Sequence, residues 1–390
     1  MNRRQAGFSY MLVMAMAMST FSLFALAVVA SDIEAEFGLS KLQLGLIGAV
    51  NTGIGGLFAP TAGRLSDRLG GRSSIAAVLV LSGLSSALAA LAPSYTVLLL
   101  AMTLAGLPQG WANPATNKAI STGIPADQRG VLTGVKQSGV QLANFSSGFA
   151  MPAIAAAAGW RVGLWAVAGI SVISLIGLRW VTELHDHASD ASPRAPTGTG
   201  PFPSIVWRVA AFGFVMGTVG GGLGRFLPLF AEEAVGVSAT TAGAVFGISG
   251  LIAIPSRILW GVALDRGFPT RRALTMLGIG AAVSIAMLLG SPSLGVALLW
   301  IGTLLSGLTV GSWNTAANLS MIRESGTAGA GRATGVLLSG FLIGQTIGGP
   351  LAGWSIDRFD SYQPAWIASG LVCLLAASIV SGRTDRSTLS

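Results

Sequence analysis

Along this chain, runs of about twenty residues with little or no charge recur between short connections that carry one to three arginines, and about twenty is the length a helix needs to cross a bilayer. No water is available inside hydrocarbon, so each run has to satisfy its own backbone N–H and C=O groups, which a helix does within the segment. The chain is 52% hydrophobic and only 10% charged, with a mean hydropathy of +0.69, and this excludes a soluble domain. Twelve spans are predicted, near 9–31, 43–63, 73–92, 96–120, 130–155, 160–181, 205–230, 238–262, 272–290, 294–322, 330–354 and 362–381. The expected fold is therefore all-α: a polytopic membrane protein with twelve transmembrane helices.

Charge distribution orients these spans. The net charge is +8, but the basic residues are scattered through short connections instead of forming one stripe, so a nucleic-acid partner is excluded. Arg3, Arg4, Arg64, Arg68, Arg72, Arg129, Arg194, Arg266, Arg271, Arg272, Arg323, Arg332, Arg383 and Arg386 fall in alternate connections, and the opposite set carries only Lys41, Arg161 and Arg358. The positive-inside rule then places both termini in the cytoplasm, as for a bacterial inner-membrane protein. Met1 to Ala30 has the arginines and apolar stretch of a secretory signal, but its length and the spans behind it read as an uncleaved first helix. Cys373 is the single cysteine, so no intrachain disulfide or cysteine-based metal site is expected, and no cofactor is implied. A polar stretch over 183–204, with His185 and His187, reads as a cytoplasmic linker between halves at 1–182 and 205–390.

The halves are repeats of each other. Asn113 matches Asn314, Asn117 matches Asn318 and Gly134 matches Gly335, each pair 201 positions apart. A common offset over two helices supports two pseudo-symmetric six-helix halves packed about an axis along the membrane normal. Each half also contains a compact charged turn. The first is Gly63-Arg64-Leu65-Ser66-Asp67-Arg68-Leu69-Gly70-Gly71-Arg72; the second is Gly261-Val262-Ala263-Leu264-Asp265-Arg266-Gly267 with Arg271 and Arg272 behind it. There the carboxylate sits at a helix end where arginines and the next helix N-terminus can pair with it. Asp67, Arg68, Arg72, Asp265 and Arg266 are the candidate cytoplasmic latches, expected to stabilise the outward-open state. The pattern G-x-x-x-D-R-x-G with trailing arginines, present once per half, resembles the loop signature of the major facilitator superfamily of secondary transporters. That resemblance covers essentially the whole chain and implies alternating access of the two halves.

Ions inside the spans are few, and all are basic: Arg257 and Lys136 within spans, Lys118 nearer the cytoplasmic end and Arg225 nearer the outer end. An uncompensated cation at that depth is costly, so a mobile anion is a natural partner. Arg257, Gly261 and Asp265 together resemble the eighth helix of facilitators that move small anions such as monocarboxylate, oxalate, nitrate and cyanate. In those families an arginine here binds the anion. The other reading of Arg257 is an arginine that snorkels or holds a backbone carbonyl. Lys136 has the same two readings, and its repeat partner is Leu337. Asn113 and Asn117 share a helix face, as do Asn314 and Asn318, and these faces either meet across a cavity or bond within their own half. Trp313, Asn51, Gln137 and Gln345 complete the candidate substrate contacts. Five glycines between Gly217 and Gly224, followed by Pro228, predict a bent or unwound outer part of the seventh span, where Arg225 is expected to close the outer side against Asp32.

No nucleophile–base set, zinc motif or Walker loop is present, so the chain is not expected to be an enzyme or an ATP-driven pump. The expected function is secondary active transport of a small anionic, carboxylate-like solute by a monomer in the lipid bilayer, with a proton or counter-anion as coupling partner. The alternative is a multidrug or other organic-compound exporter, because Gly349-Pro350 and Gly353 resemble the Gly-Pro motif of drug antiporters. That mode of transport relies on a membrane-depth carboxylate, and none falls mid-span. The topology has a direct check: with Cys373 replaced by serine, a cysteine placed in the 183–204 linker should react with an impermeant thiol reagent only from the cytoplasmic face. Reaction from outside would invert the assignment.

Overall fold

A computed structural model of the protein describes residues 3–124, 129–181 and 202–382. Among these there is no strand. The helices are α1 Arg3–Val28, α2 Ala30–Phe37, α3 Lys41–Ala90, α4 Tyr95–Gly123, α5 Arg129–Ala158, α6 Trp160–Ser174 with a 3-10 turn Leu175–Trp180, α7 Ser204–Glu233, α8 Ala239–Asp265, α9 Thr270–Leu294, α10 Val296–Thr309, α11 Trp313–Phe359 and α12 Gln363–Ser381. The expected linker lies outside the described residues up to 201, and His185, His187 and Arg194 with it.

Two long helices replace predicted connections. α3 runs through the first charged turn and so contains both the second and the third span; Gly70, at φ 79° and ψ 167°, is its one non-helical residue and makes the turn. A left-handed φ of this kind costs glycine little because it has no Cβ. α11 runs on through 323–329 and joins the end of the tenth span to the eleventh. The predicted tenth span is itself broken, at Val310 to Ser312, between α10 and α11. Among the described residues nine helical stretches are long and apolar enough to cross a membrane, and the 50-residue α3 makes two crossings. α4 and α5 are not among the nine; they carry the polar side chains of Asn113, Asn117, Lys136 and Gln137, which lower their apolar character. The count of crossings is twelve.

α1–α6 and α7–α12 form the two halves, which meet along α3 with α11, α5 with α8, and α1 with α7. Small residues set these seams. A Cβ on Gly45 would run into the Gly349–Pro350 backbone, one on Gly353 into Lys41 and one on Gly148 into Gly243 and Gly247. Such close backbone approach is how membrane helices associate without a hydrophobic driving force between them. All of these contacts lie toward the side that the charge distribution assigns to the outside. Toward the cytoplasmic ends the situation reverses: a Cβ on Gly63, Gly134, Gly261 or Gly335 would meet nothing within 4 Å. With the sides as the charge distribution assigns them, the halves are closed at the outer end and apart at the cytoplasmic end, the opposite state from the one the latches were expected to favour.

Ionic contacts finish the outer closure. Lys41 Nζ is 2.6 Å from Glu34 in its own half and 2.6 Å from Glu233 in the other, and the Tyr362 hydroxyl donates to the second Glu233 oxygen at 2.7 Å. The Asp357 carboxylate, at the end of α11, accepts from the Lys41 and Leu42 backbone N–H groups, both at 2.8 Å. It therefore caps the N-terminus of α3 from across the seam, where the helix dipole also favours an anion. Lys41→Ala should loosen this closure and raise the labelling of outer-cavity cysteines from outside, whereas Gly148→Val should hold the α5–α8 seam apart and leave the protein open outside. Cysteine accessibility in right-side-out vesicles checks both; labelling unchanged in both variants would remove these seams from the gate.

Candidate functional site

Between the halves, on the outer side of mid-depth, is a cavity of about 60 Å³. Its walls come from α1 (Leu23, Phe24), α3 (Gly45, Gly48, Ala49, Thr52), α7 (Gly220, Gly221, Gly224, Arg225) and α11 (Gln345, Gly349). Arg225 is its only charged wall residue and is 3% exposed. Its Nε donates to the Leu44 carbonyl at 2.8 Å, across the seam, while Nη1 and Nη2 have no hydrogen-bond partner among the described residues. Leaving such buried donors unmade is expensive, and buried polar groups in proteins are otherwise nearly always paired. The Thr52 hydroxyl adjoins that of Thr346 at 3.3 Å, and Gln345 brings an amide.

The geometry corrects the sequence reading of the seventh span. α7 is continuous from Ser204 to Glu233, with Pro228 inside it. Its glycines serve packing: Gly217 lies on the Phe341 carbonyl and Gly221 on the Gln345 carbonyl of α11. Asp32 does not pair with Arg225. It stands near Glu36, and burial together with that carboxylate holds the Asp32 carboxyl above its ordinary range. Glu36 is held below its own range chiefly by a hydrogen bond from Arg161.

Arg257 has two of its donors placed. Its Nε donates to the Gly311 carbonyl at 2.9 Å. That carbonyl is free because the helix breaks there: the Thr315 N–H, its regular partner, turns to Ser312 instead. With the Gln141 amide assigned from its network, Gln141 accepts from Arg257 Nη2 at 2.9 Å and donates to the Gly250 carbonyl at 3.3 Å. Arg257 thereby ties α8 to α10's broken end and, across the halves, to α5.

Lys136 is 1% exposed and has an acceptor for each of its three N–H bonds: Asn113 Oδ1 at 3.1 Å, Thr116 Oγ1 at 3.0 Å and Asn117 Oδ1 at 2.6 Å. Gln137 also donates to Asn113, at 3.2 Å. All five residues belong to the first half, so the asparagine face of α4 is turned to a lysine of its own half and not to the matching face of the second. Asn318 donates to the Asn314 carbonyl of its own helix at 2.9 Å. Leu337, the repeat partner of Lys136, is buried against Gly213. Trp313 packs between Phe212 and Phe341, and Asn51 donates to the Met102 carbonyl of α4. Among the candidate substrate contacts, Gln345 alone lines the cavity that Arg225 borders.

At the first latch Asp67 pairs with Lys118 at 3.2 Å, not with the expected arginines; Arg68 and Arg72 are exposed beside it. Trp111 donates to Ser66 at 2.9 Å and adds a second tie between α4 and this turn. At the second latch Asp265 and Arg266 are exposed, and Arg323 donates to the Leu264 carbonyl at 3.1 Å. Three residues that the sequence reading did not single out therefore matter: Thr116, Gln141 and Leu44. Thr116 lies one turn from Asn113 and Gln141 one turn from Gln137, a spacing that puts each on the same helix face. Leu44 acts through its carbonyl, which no side-chain pattern reports.

Two six-helix halves closed at one end around a cavity bordered by a buried cation define the fold of a polytopic membrane transporter. The chain belongs to the Major Facilitator Superfamily, whose family model matches residues 10–335. It is 26% identical over 394 residues to the gentisate transporter of Corynebacterium glutamicum, covering 93% of this chain and 83% of that one. A probable sulfoacetate transporter of Cupriavidus necator is 22% identical over 374 residues, 88% of this chain and 86% of that one. The hexuronate transporter of Bacillus subtilis is 30% identical over 183 residues, 46% of this chain and 43% of that protein. In fold the chain is similar to a bacterial homolog of the human lysosomal transporter Spinster in an inward-facing and occupied conformation, with a TM-score of 0.83 at 16% identity over 97% of each chain.

The Lys136 cage has a measurable signature. Asn117→Leu should lower stability in detergent by about 1–3 kcal/mol, the usual cost of stranding a buried donor. In a Lys136→Met background the same change should cost about nothing, because donor and acceptor have then both gone. Equal costs in the two backgrounds would mean that Asn117 does not hold the ammonium.

Proposed function

We propose that this protein is a secondary active transporter that moves a small anionic, carboxylate-like solute by alternating access. The observation that carries the reading is Arg225: a buried guanidinium between the halves, with two nitrogens unpartnered and no acid in the cavity wall. A carboxylate fits this group, since its two oxygens match the planar donor fork in geometry and in charge. Thr52 and Gln345 then offer a hydroxyl and an amide to the rest of the solute, and Phe24 and Leu23 an apolar wall. Gentisate, sulfoacetate and hexuronates, named for three of the relatives, are all anions with a compact body, which supports the class.

Arg257 and Lys136, the other buried cations, are hydrogen-bonded within the protein, so they serve the packing of their helices and not the anchoring of the solute. The bacterial inner membrane with cytoplasmic termini is the setting that the charge distribution supports. No membrane-depth carboxylate lies in the cavity wall to carry a proton, so coupling rests on the solute's own proton or on a counter-anion. The same feature disfavours an exporter of cationic drugs.

Binding of glucuronate, gentisate and sulfoacetate to the purified protein in detergent tests the reading. Arg225→Gln should weaken the best ligand by about 10–100-fold, the worth of hydrogen bonds from a charged donor. Arg257→Ala should weaken it less, because its donors are already engaged by Gly311 and Gln141. An unchanged affinity in Arg225→Gln would remove Arg225 from the site and most of the case for an anion with it.

A further inference from the structure

Arg225 has a second property, which follows from where its hydrogen bond goes. Its backbone belongs to α7 in the second half, and its Nε is held by the Leu44 carbonyl of α3 in the first. Leu44 is one residue from Gly45, where α3 meets the Gly349–Pro350 backbone of α11. The guanidinium is therefore part of the seam that closes the outer side: Arg225 lines the cavity behind that seam, and its two remaining nitrogens are buried there without a partner among the described residues.

Closing the seam removes this cation from water. The Leu44 carbonyl satisfies one donor but carries no charge, and the glycine walls formed by Gly45, Gly220, Gly221, Gly224 and Gly349 supply no side-chain acceptor. A cation desolvated without a counter-charge opposes the step that desolvates it, and an anion on the same nitrogens reverses that balance. We propose that Arg225 makes closure of the outer side conditional on a bound anion, so that the carrier exchanges one anion for another in preference to returning empty. The proposal rests on the reading of the chain as an anion carrier and adds its mode of operation: after release outside, the empty carrier has to close this seam over an unpaired cation, and that inward return is the slow step.

The single cysteine makes the test clean. In a Cys373→Ser background, Ala49→Cys places a reporter in the cavity wall, and an impermeant maleimide is added outside right-side-out vesicles. Without any anion, the Arg225 protein should label about ten-fold faster than Arg225→Met or Arg225→Gln, which close without an uncompensated charge. Arg225→Lys, which keeps the charge, should label like the Arg225 protein. Gentisate should slow labelling of the Arg225 protein about ten-fold and leave Arg225→Met unchanged. In liposomes, efflux of labelled gentisate through the outer side should be about ten-fold faster with unlabelled gentisate outside than without it. Equal labelling of Arg225 and Arg225→Met, no effect of a bound anion, or equal efflux with and without external gentisate would each overturn the proposal. Failure of the anion reading itself shows separately, as absence of carboxylate binding to the purified protein.

Discussion

A guanidinium between membrane helices keeps its charge at any physiological pH, so it has to find acceptors or counter-charge wherever the helices carry it. Arg225 meets this requirement only in part: the Leu44 carbonyl takes one donor, and the described residues offer nothing to the other two nitrogens. That shortfall lies in the seam between the halves, beside a cavity with room for little more than the head of a solute. The proposed charge class of the solute and its proposed coupling to the outer closure both rest on this one group.

The other buried cations show how the shortfall is avoided where no ligand is wanted. Lys136 is enclosed by two asparagines and a threonine of its own half. Arg257 takes the carbonyl that the break at Gly311 sets free, and it reaches Gln141 across the halves. A helix break and a side-chain cage thus do for these two what a solute is proposed to do for Arg225. Around them the seams rely on small residues, because backbones that approach this closely leave no space for a Cβ, and the ionic cluster at Lys41, Glu34, Glu233 and Asp357 holds the outer ends together.

Much of the fold was legible in the sequence, because the bilayer imposes one rule on every span. Apolar length located the helices, and the 201-residue offset between Asn113 and Asn314 exposed the duplication. The connections were less legible: helix runs on through 323–329 since nothing there forbids it, and Gly70 turns α3 with a single residue. The site was read in part. Arg257 and Lys136 stood out as charges in apolar runs, but whether a charge is already satisfied depends on partners far along the chain, such as Gly311 and Thr116. Arg225 was read as half of an ion pair with Asp32, since opposite charges near one membrane face suggest one. The structure gives it a backbone carbonyl instead, and a carbonyl looks the same at every position of a sequence. The glycines before it were read as a break, although a row of glycines serves equally to bring α11 close.

The central claim is that Arg225, and not the better-advertised Arg257, anchors the solute. A structure of the protein with gentisate bound, or with whichever carboxylate binds most tightly, tests it most directly. The account places a carboxylate oxygen about 3 Å from Arg225 Nη1 or Nη2, with the body of the solute toward Thr52 and Gln345. A carboxylate seated on Arg257 or Lys136, with the Arg225 nitrogens still unpartnered, would contradict it.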